Sequence, residues 1–211
     1  MKSPLRYPGG KSRAVKHILP HFPEDVTEVC SPFLGGGSIE LALAERGVQV
    51  YGYDTFEPLV WFWRALLENP QALAQEADSL RKHKDYYYGY RGLPKEDFNL
   101  IKEELRNEKE YSLQNAAKFY ALNRSSFSGA TLSGGWSKRA SYERFTDSSI
   151  TRVKEFNQPK LHVSAQHFKH SIPAHPKTFL YLDPPYLLGK DRENLYGNAG
   201  NKHKGFDHAG L

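Results

Sequence analysis

Residues 26–54 read VTEVCSPFLGGGSIELALAERGVQVYGYD. A short β-rich run, Val26–Cys30, meets a glycine-rich turn, SPFLGGGS, and the apolar pattern then changes period. Ser38–Arg46 has helical spacing and stops at Gly47, the residue best suited to the left-handed conformation that ends helices. Val48–Tyr53 reads as a second strand, ending at Asp54. A strand–loop–helix–strand order this short predicts two parallel strands joined by a right-handed crossover. The glycines let backbone approach a bound molecule closely, and the helix behind them offers unbonded N–H groups. Such a turn alone fits any tight βα connection. Asp54, about 20 residues on, adds a carboxylate at the spacing that grips ribose hydroxyls. The loop lacks the GxxxxGK[ST] spacing, which argues against a P-loop nucleotide hydrolase.

Outward from this unit the pattern changes twice. Pro58–Glu68 is helical and very apolar, and Trp61, Phe62 and Trp63 within it read as core. Asn69-Pro70 and Ser112 are helix-start signals, predicting helices over 70–83 and 112–126 with another over 94–110. Strand signals are absent there. FSGATLSGGWSKRASY (127–142) reads as a hairpin or ordered loop turning at Gly134-Gly135. Asp147 starts a short helix to Asn157, and strands resume at Leu161–Ser164 and Thr178–Leu182. The expected plan is an α/β sheet, built from 1–64 and 158–211, interrupted by a mostly helical insert over 65–157.

Length and composition narrow the class. The 211 residues, 39% hydrophobic and 25% charged, describe a globular protein rather than a disordered or fibrous one. No segment has the apolar core of a signal peptide and no run approaches a membrane span, so the expected location is the cytoplasm, without membrane contact. One cysteine, Cys30, excludes an internal disulfide and a Cys-rich zinc site. The net charge is +5, unevenly placed: residues 1–60 carry 6 Lys+Arg against 7 Asp+Glu, residues 118–160 carry 8 against 3. No acid occurs from Tyr111 to Tyr142, where Lys118, Arg124, Lys138 and Arg139 do. A polyanion would select such a stretch, and a solvated face fits the charge pattern equally well.

Two further stretches carry chemistry. LRYPGGKSR (5–13) is a second glycine turn leading into a helix, with Lys11 at its mouth. TFLYLDPPY (178–186) ends an apolar strand in Asp183, Pro184, Pro185 and Tyr186. At the carboxyl end of a central strand these side chains project into the crevice where α/β sheets bind ligands. Asp183 and the Pro184 carbonyl, held rigid by Pro185, make two acceptors suited to an NH₂ group. Tyr186 offers a flat face for a planar ring.

RYPGGK, PFLGGGS and LDPPY, in that order, resemble the adenine-specific DNA methyltransferases of the Dam-like (D12, group alpha) class, and FYALNRSSFSG resembles that family's DNA-facing Asn-Arg…Phe-x-Gly segment. The resemblance implies a Rossmann-like S-adenosylmethionine-dependent methyltransferase sheet with a helical target-recognition insert, and no metal. It implies cofactor contacts from Tyr7, Gly10, Lys11, Phe33, Gly35, Gly37, Ser38, Asp54, His167 and Phe168. It implies DNA contacts from Asn123, Arg124 and Ser126 on double-stranded DNA, to which the basic stretch adds Lys138 and Arg139. A flipped adenine would stack on Tyr186 and give its N6 hydrogens to Asp183 and Pro184. A restriction endonuclease acting at the same site is the implied partner, without stable contact. DPPY alone permits any exocyclic amine, so cytosine N4 or an RNA guanine stays open, as does a DNA-binding fragment without turnover. Cys30, the sole candidate nucleophile for carbon methylation, reads as a packed strand residue.

The sequence departs from the family pattern in three places. Ser31 stands where the family has an acid before PF-x-G, at the cofactor's charged methionine end. His167 stands where an aspartate often lies near the cofactor adenine. The chain ends at FDHAGL (206–211), so the family's later strands are expected to be missing, and residues 188–211 are expected to form a mobile lid over the target base.

Overall fold

The computed structural model describes residues 1–83, 90–186, 206–207 and 209–211. The lid expected over 188–211 lies outside the described residues except for Phe206, Asp207 and 209–211. A short helix α1 (Val15–Ile18), continued by a 3₁₀ turn, leads to β1 (Glu28–Ser31). The glycine turn and α2 (Ser38–Glu45) then connect to β2 (Gln49–Asp54), which lies parallel to β1 with Val29 opposite Val50. Gly47 closes α2 at φ +88°, as a glycine stop requires. α3 (Glu57–Glu68) follows, with Trp61, Phe62 and Trp63 buried.

The middle of the chain is mainly helical. The Asn69 side chain accepts from the Ala72 amide, so one residue ends α3 and caps α4 (Pro70–Ser79). Strand signals were not expected here, yet β3 (Lys82–His83) and β4 (Arg91–Gly92) form an antiparallel ribbon. Strands of two residues are too short to show an alternating pattern, and Arg91 is fixed by its side-chain bonds to Asp78 and not by apolar spacing. α5 (Lys95–Asn107) and α6 (Leu113–Ser125) come next, with the Ser112 hydroxyl capping α6.

Within residues 127–142, the part up to 137 is an ordered loop rather than a hairpin. Two 3₁₀ turns are closed by one bridge between Ser126 and Trp136. The basic stretch after it is helical, α7 (Lys138–Arg144), because the Ser137 hydroxyl caps the Ala140 amide. α8 (Asp147–Lys154) then leads to β5 (Leu161–Ala165). α9 (Phe168–Ala174), which no sequence signal marked, starts at a His167 cap and contains Pro173. β6 (Phe179–Leu180) completes a four-stranded parallel sheet in the order β5-β2-β1-β6.

That order places the site. The chain steps outward from β1 to β2 to β5, then returns to the far side of β1 for β6. The direction in which successive strands are added across the sheet reverses between β1 and β6, and open parallel sheets bind ligands at such a switch point, beyond the carboxyl ends. Ser31 ends β1 there, and Asp183 follows β6. The hydrophobic core runs without a break from Val29 and Val50 in the sheet, through Phe62 and Trp63, to Phe119 and Tyr120 of α6. Phe62 and Tyr120 stack at 5.3 Å.

Gly37 caps α2 at φ +66°, and a Cβ there would sit 2.7 Å from the Trp63 ring. Strain and overpacking act together, so Gly37→Ala should cost about 2–4 kcal/mol in urea unfolding. A variant as stable as the parent would show that Trp63 yields freely.

Candidate active site

At the carboxyl ends of β1 and β6 the chain encloses a cleft of about 300 Å³. All fourteen residues expected to bind cofactor or act on the base line it: Tyr7, Gly10, Lys11, Phe33, Gly35, Gly37, Ser38, Asp54, His167, Phe168, Asp183, Pro184, Pro185 and Tyr186. Segments separated by more than 170 residues are thus brought to one wall.

The corner over Asp183–Tyr186 is tied to the N-terminal turn by an ion pair. Lys11 Nζ lies 2.5 and 2.7 Å from the two Asp183 oxygens and also donates to the Gly9 carbonyl at 3.1 Å. Tyr186 donates its hydroxyl to Asp183 at 3.1 Å, and the Lys11 ammonium sits 5.0 Å from the Tyr186 ring centre. Burial alone would lower the Lys11 pKa, but the hydrogen bonds and charge of Asp183 and Tyr186 outweigh it and raise it. Lys11 is therefore a cation at neutral pH, fastened to the carboxylate that would meet the amine.

The glycine loop is set by three neighbours. Its left-handed Gly35 and Gly37 leave no room for side chains against Tyr7 and Trp63. Trp63 donates its indole N–H to the Gly35 carbonyl at 3.1 Å. Asp54 accepts the Gly35 amide at 3.1 Å and the Phe56 amide at 2.9 Å. Asp54 thus fixes the loop and also faces the cleft, a double duty that spacing alone did not reveal. Phe33, Phe168 and Phe206 meet at ring distances of 5.5–5.7 Å, and His167 lies 4.4 Å from Phe168. This end of the cleft suits a planar ring. The His167 Nδ1 accepts the Lys169 amide, which gives the histidine a capping role as well.

Ser31 does not leave its position without an acid. Glu40, on the first turn of α2, accepts the Ser31 hydroxyl at 2.6 Å and lines the cleft. No sequence signal had marked it, since a glutamate in a helix's first turn reads as a simple dipole partner. Burial pushes its carboxyl up to about 7, against the pull of the Ser31 hydrogen bond. Cys30 is fully buried in β1, and burial pushes its thiol up to about 11, which fits packing and not nucleophilic attack.

The residues expected to touch DNA divide into two groups. Asn123, Arg124 and Ser126 face inward, at 0%, 8% and 0% exposure. Asn123 bonds both backbone groups of Arg6 and the Gly129 carbonyl, and Arg124 donates to the Arg144 and Pro4 carbonyls. Their polarity serves to pin the N-terminal segment and the 127–135 loop, so as placed they do not reach a phosphate. Lys138 is exposed, and Arg139 is exposed but paired with Glu143 at 2.9 Å. Phe127, 72% exposed on the loop that Asn123 holds, had no separate role in the sequence.

A family profile described as D12 class N6 adenine-specific DNA methyltransferase matches residues 7–211. The chain belongs to that family. It is also 22% identical over 193 residues to Type II methyltransferase M1.LlaDCHI of Lactococcus lactis subsp. cremoris, covering 86% of this chain and 64% of the relative. The chain therefore spans less than two thirds of that relative's length. Membership of the D12 class implies use of S-adenosylmethionine, and the cleft has the parts for it: an aromatic end, a carboxylate after β2 and a glycine loop at a helix start. No helix among the described residues is long and apolar enough to cross a membrane.

Folding raises the Glu40 pKa from 4.5 to about 7, so the folded state holds the proton more tightly. The stability this group contributes is complete below about pH 4.5 and is lost as pH rises to about 7, roughly 3 kcal/mol in all. Glu40→Gln should therefore flatten the fall in unfolding free energy between pH 5 and 8, measured without ligand. An unchanged pH profile would place the titration elsewhere. Asn123→Ala strands three backbone partners and should cost about 2–4 kcal/mol in urea unfolding; a loss of DNA affinity at unchanged stability would return Asn123 to the DNA face.

Proposed function

We propose that the protein is an S-adenosylmethionine-dependent DNA adenine-N6 methyltransferase acting at a specific duplex site within a restriction–modification system. The observation that carries this reading is the position of Asp183, Pro184 and Tyr186 at the β1/β6 switch point, against the glycine-loop cleft. When bound, S-adenosylmethionine supplies an electrophilic methyl group on sulfur. The adenine base, turned out of the duplex, stacks on the half-exposed Tyr186 ring. Asp183 and the Pro184 carbonyl accept the two N6 hydrogens, which localises the nitrogen lone pair and aims it at the methyl carbon. Lys11 holds the carboxylate in place and keeps a positive charge beside it. An exocyclic amine would attack directly, its N–C bond forming as the methyl–sulfur bond breaks and one N6 proton leaving to solvent, so no covalent enzyme adduct is required.

In this reading Tyr7, Gly10 and the Phe33–Ser38 loop enclose the cofactor, Asp54 takes the ribose, and Phe33, His167 and Phe168 take its adenine. Residues 65–157 form the DNA-facing insert. Its surface contacts come from Phe127, Lys138 and Arg139, while Asn123, Arg124 and Ser126 support the loop from behind. A restriction endonuclease shares the target sequence without binding the enzyme.

Treating DNA with the protein and S-adenosylmethionine should yield N6-methyladenine on nucleoside analysis; N4-methylcytosine alone would overturn adenine as target. Asp183→Ala should abolish methyl transfer while duplex affinity stays within about threefold of the parent, because the carboxylate acts in the transition state. Joint loss of folding and DNA binding would make Asp183 structural. Lys138→Ala and Arg139→Ala should each weaken DNA binding and lower the salt slope by about one. An unchanged slope would remove them from the phosphate contacts.

A further inference from the structure

Among the carboxylates lining the cleft, three have their charge answered. Asp183 is paired with Lys11 and Asp207 with Lys169, while both Asp54 oxygens accept backbone amides. Glu40 is different. It is 2% exposed, it accepts the Ser31 hydroxyl, and the Ile39 and Glu40 amides of the helix start favour its charged form. It has no cationic partner among the described residues. The charge that acts on it is another carboxylate, Asp183, and it acts unfavourably. A buried acid held by a fixed hydrogen bond, open to a cavity and lacking a cation, is the receptor half of an ion pair.

We propose that Glu40 receives the α-ammonium group at the amino-acid end of S-adenosylmethionine, with Ser31 as the positioning residue that orients the carboxylate. This rests on the cofactor reading of the cleft given above. That reading fixes the polarity of the ligand: adenine among Phe33, His167 and Phe168, ribose at Asp54, and the reacting methyl toward Asp183. The amino-acid chain branches from the sulfur that carries the methyl, so its ammonium must lie on the Asp183 side, away from the aromatic end. Glu40 is on that side, close enough for its charge to act on both Asp183 and Tyr181. Asp183 is ill suited to take the ammonium itself, because its charge is already met by Lys11, which leaves it only neutral hydrogen bonds to accept. An ammonium seated at Glu40 also relieves the repulsion between the two acids and leaves Asp183 for the base.

The test uses the whole chain at pH 7.5 and calorimetric binding of two ligands. One is S-adenosylhomocysteine, and the other is its analogue with the ammonium replaced by hydrogen. The parent should prefer the first by roughly 10- to 100-fold, the span of a charged hydrogen bond in a dry site. In Glu40→Gln, which keeps size and shape, the preference should collapse toward one through loss of S-adenosylhomocysteine affinity alone. The ratio of the two ligands within one variant is independent of how much of the sample is folded. A preference retained in Glu40→Gln would overturn the assignment by placing the ammonium elsewhere. Equal weakening of both ligands would overturn it too, making Glu40 purely structural. A parent that binds both ligands equally leaves the cofactor reading standing and removes Glu40 from it, whereas a parent that binds neither defeats both.

Discussion

The contact between Lys11 and Asp183 joins the two ends of the site. It spans 172 positions and fixes the N-terminal glycine turn against the corner after β6. Its two side chains are only 22% and 23% exposed, and partly buried ion pairs gain little net stability once desolvation is counted. The pair is better understood as a geometric constraint. With Lys11 anchored at Asp183, the backbone of residues 7–11 is drawn over the glycine loop, and Tyr7 fills the space that Gly35 and Gly36 leave open. The cleft then has a floor from β1 and β2 and a wall from the N-terminal turn. A further edge comes from the corner after β6.

Parallel strand order is the second constraint, and it explains why so short a strand as β6 suffices. Only Val29 and Cys30 pair with it in register, and the Tyr181 amide adds one more bond to Cys30. Two prolines stand beyond it after three intervening residues, at 184 and 185, and cannot donate to a ladder, so pairing could not continue through them. The short ladder delivers Asp183 next to the end of β1 and then releases the chain. The same sheet order brings the end of β1, where Ser31 bonds Glu40 of α2, to the cleft that Asp183 also lines.

Much of this was legible in the sequence, for a physical reason. Glycines at positive φ, proline corners and strand-end carboxylates are local solutions to local problems, so SPFLGGGS, Asp54 and LDPPY announce themselves without knowledge of the rest. Long helices with caps, α4 and α6 among them, were equally readable. What was not legible depended on partners distant in the chain. The β3–β4 ribbon is held by Arg91 on Asp78, and α9 starts at a histidine cap rather than at a serine or aspartate. Glu40 looked like an ordinary first-turn acid until Ser31 was found against it.

Asn123 and Arg124 show the same limit from the other side. A basic, acid-free stretch was read as a surface, but electrostatic sequence patterns do not report direction. Arg124 turns its guanidinium onto two carbonyls, and burial lowers its pKa against the general trend for arginine. Such an arginine spends its donors on backbone oxygens, which no neighbouring lysine could match with one ammonium. The loop it supports carries Phe127 into solvent and left-handed Ser128, Gly129 and Thr131 behind it. Backbone strain of that density persists only when the surroundings over-determine it. The buried Asn-Arg pair is that determination. It holds an exposed loop against the N-terminal segment without itself reaching the surface, so the polar residues whose pattern suggested nucleic acid act one layer beneath it.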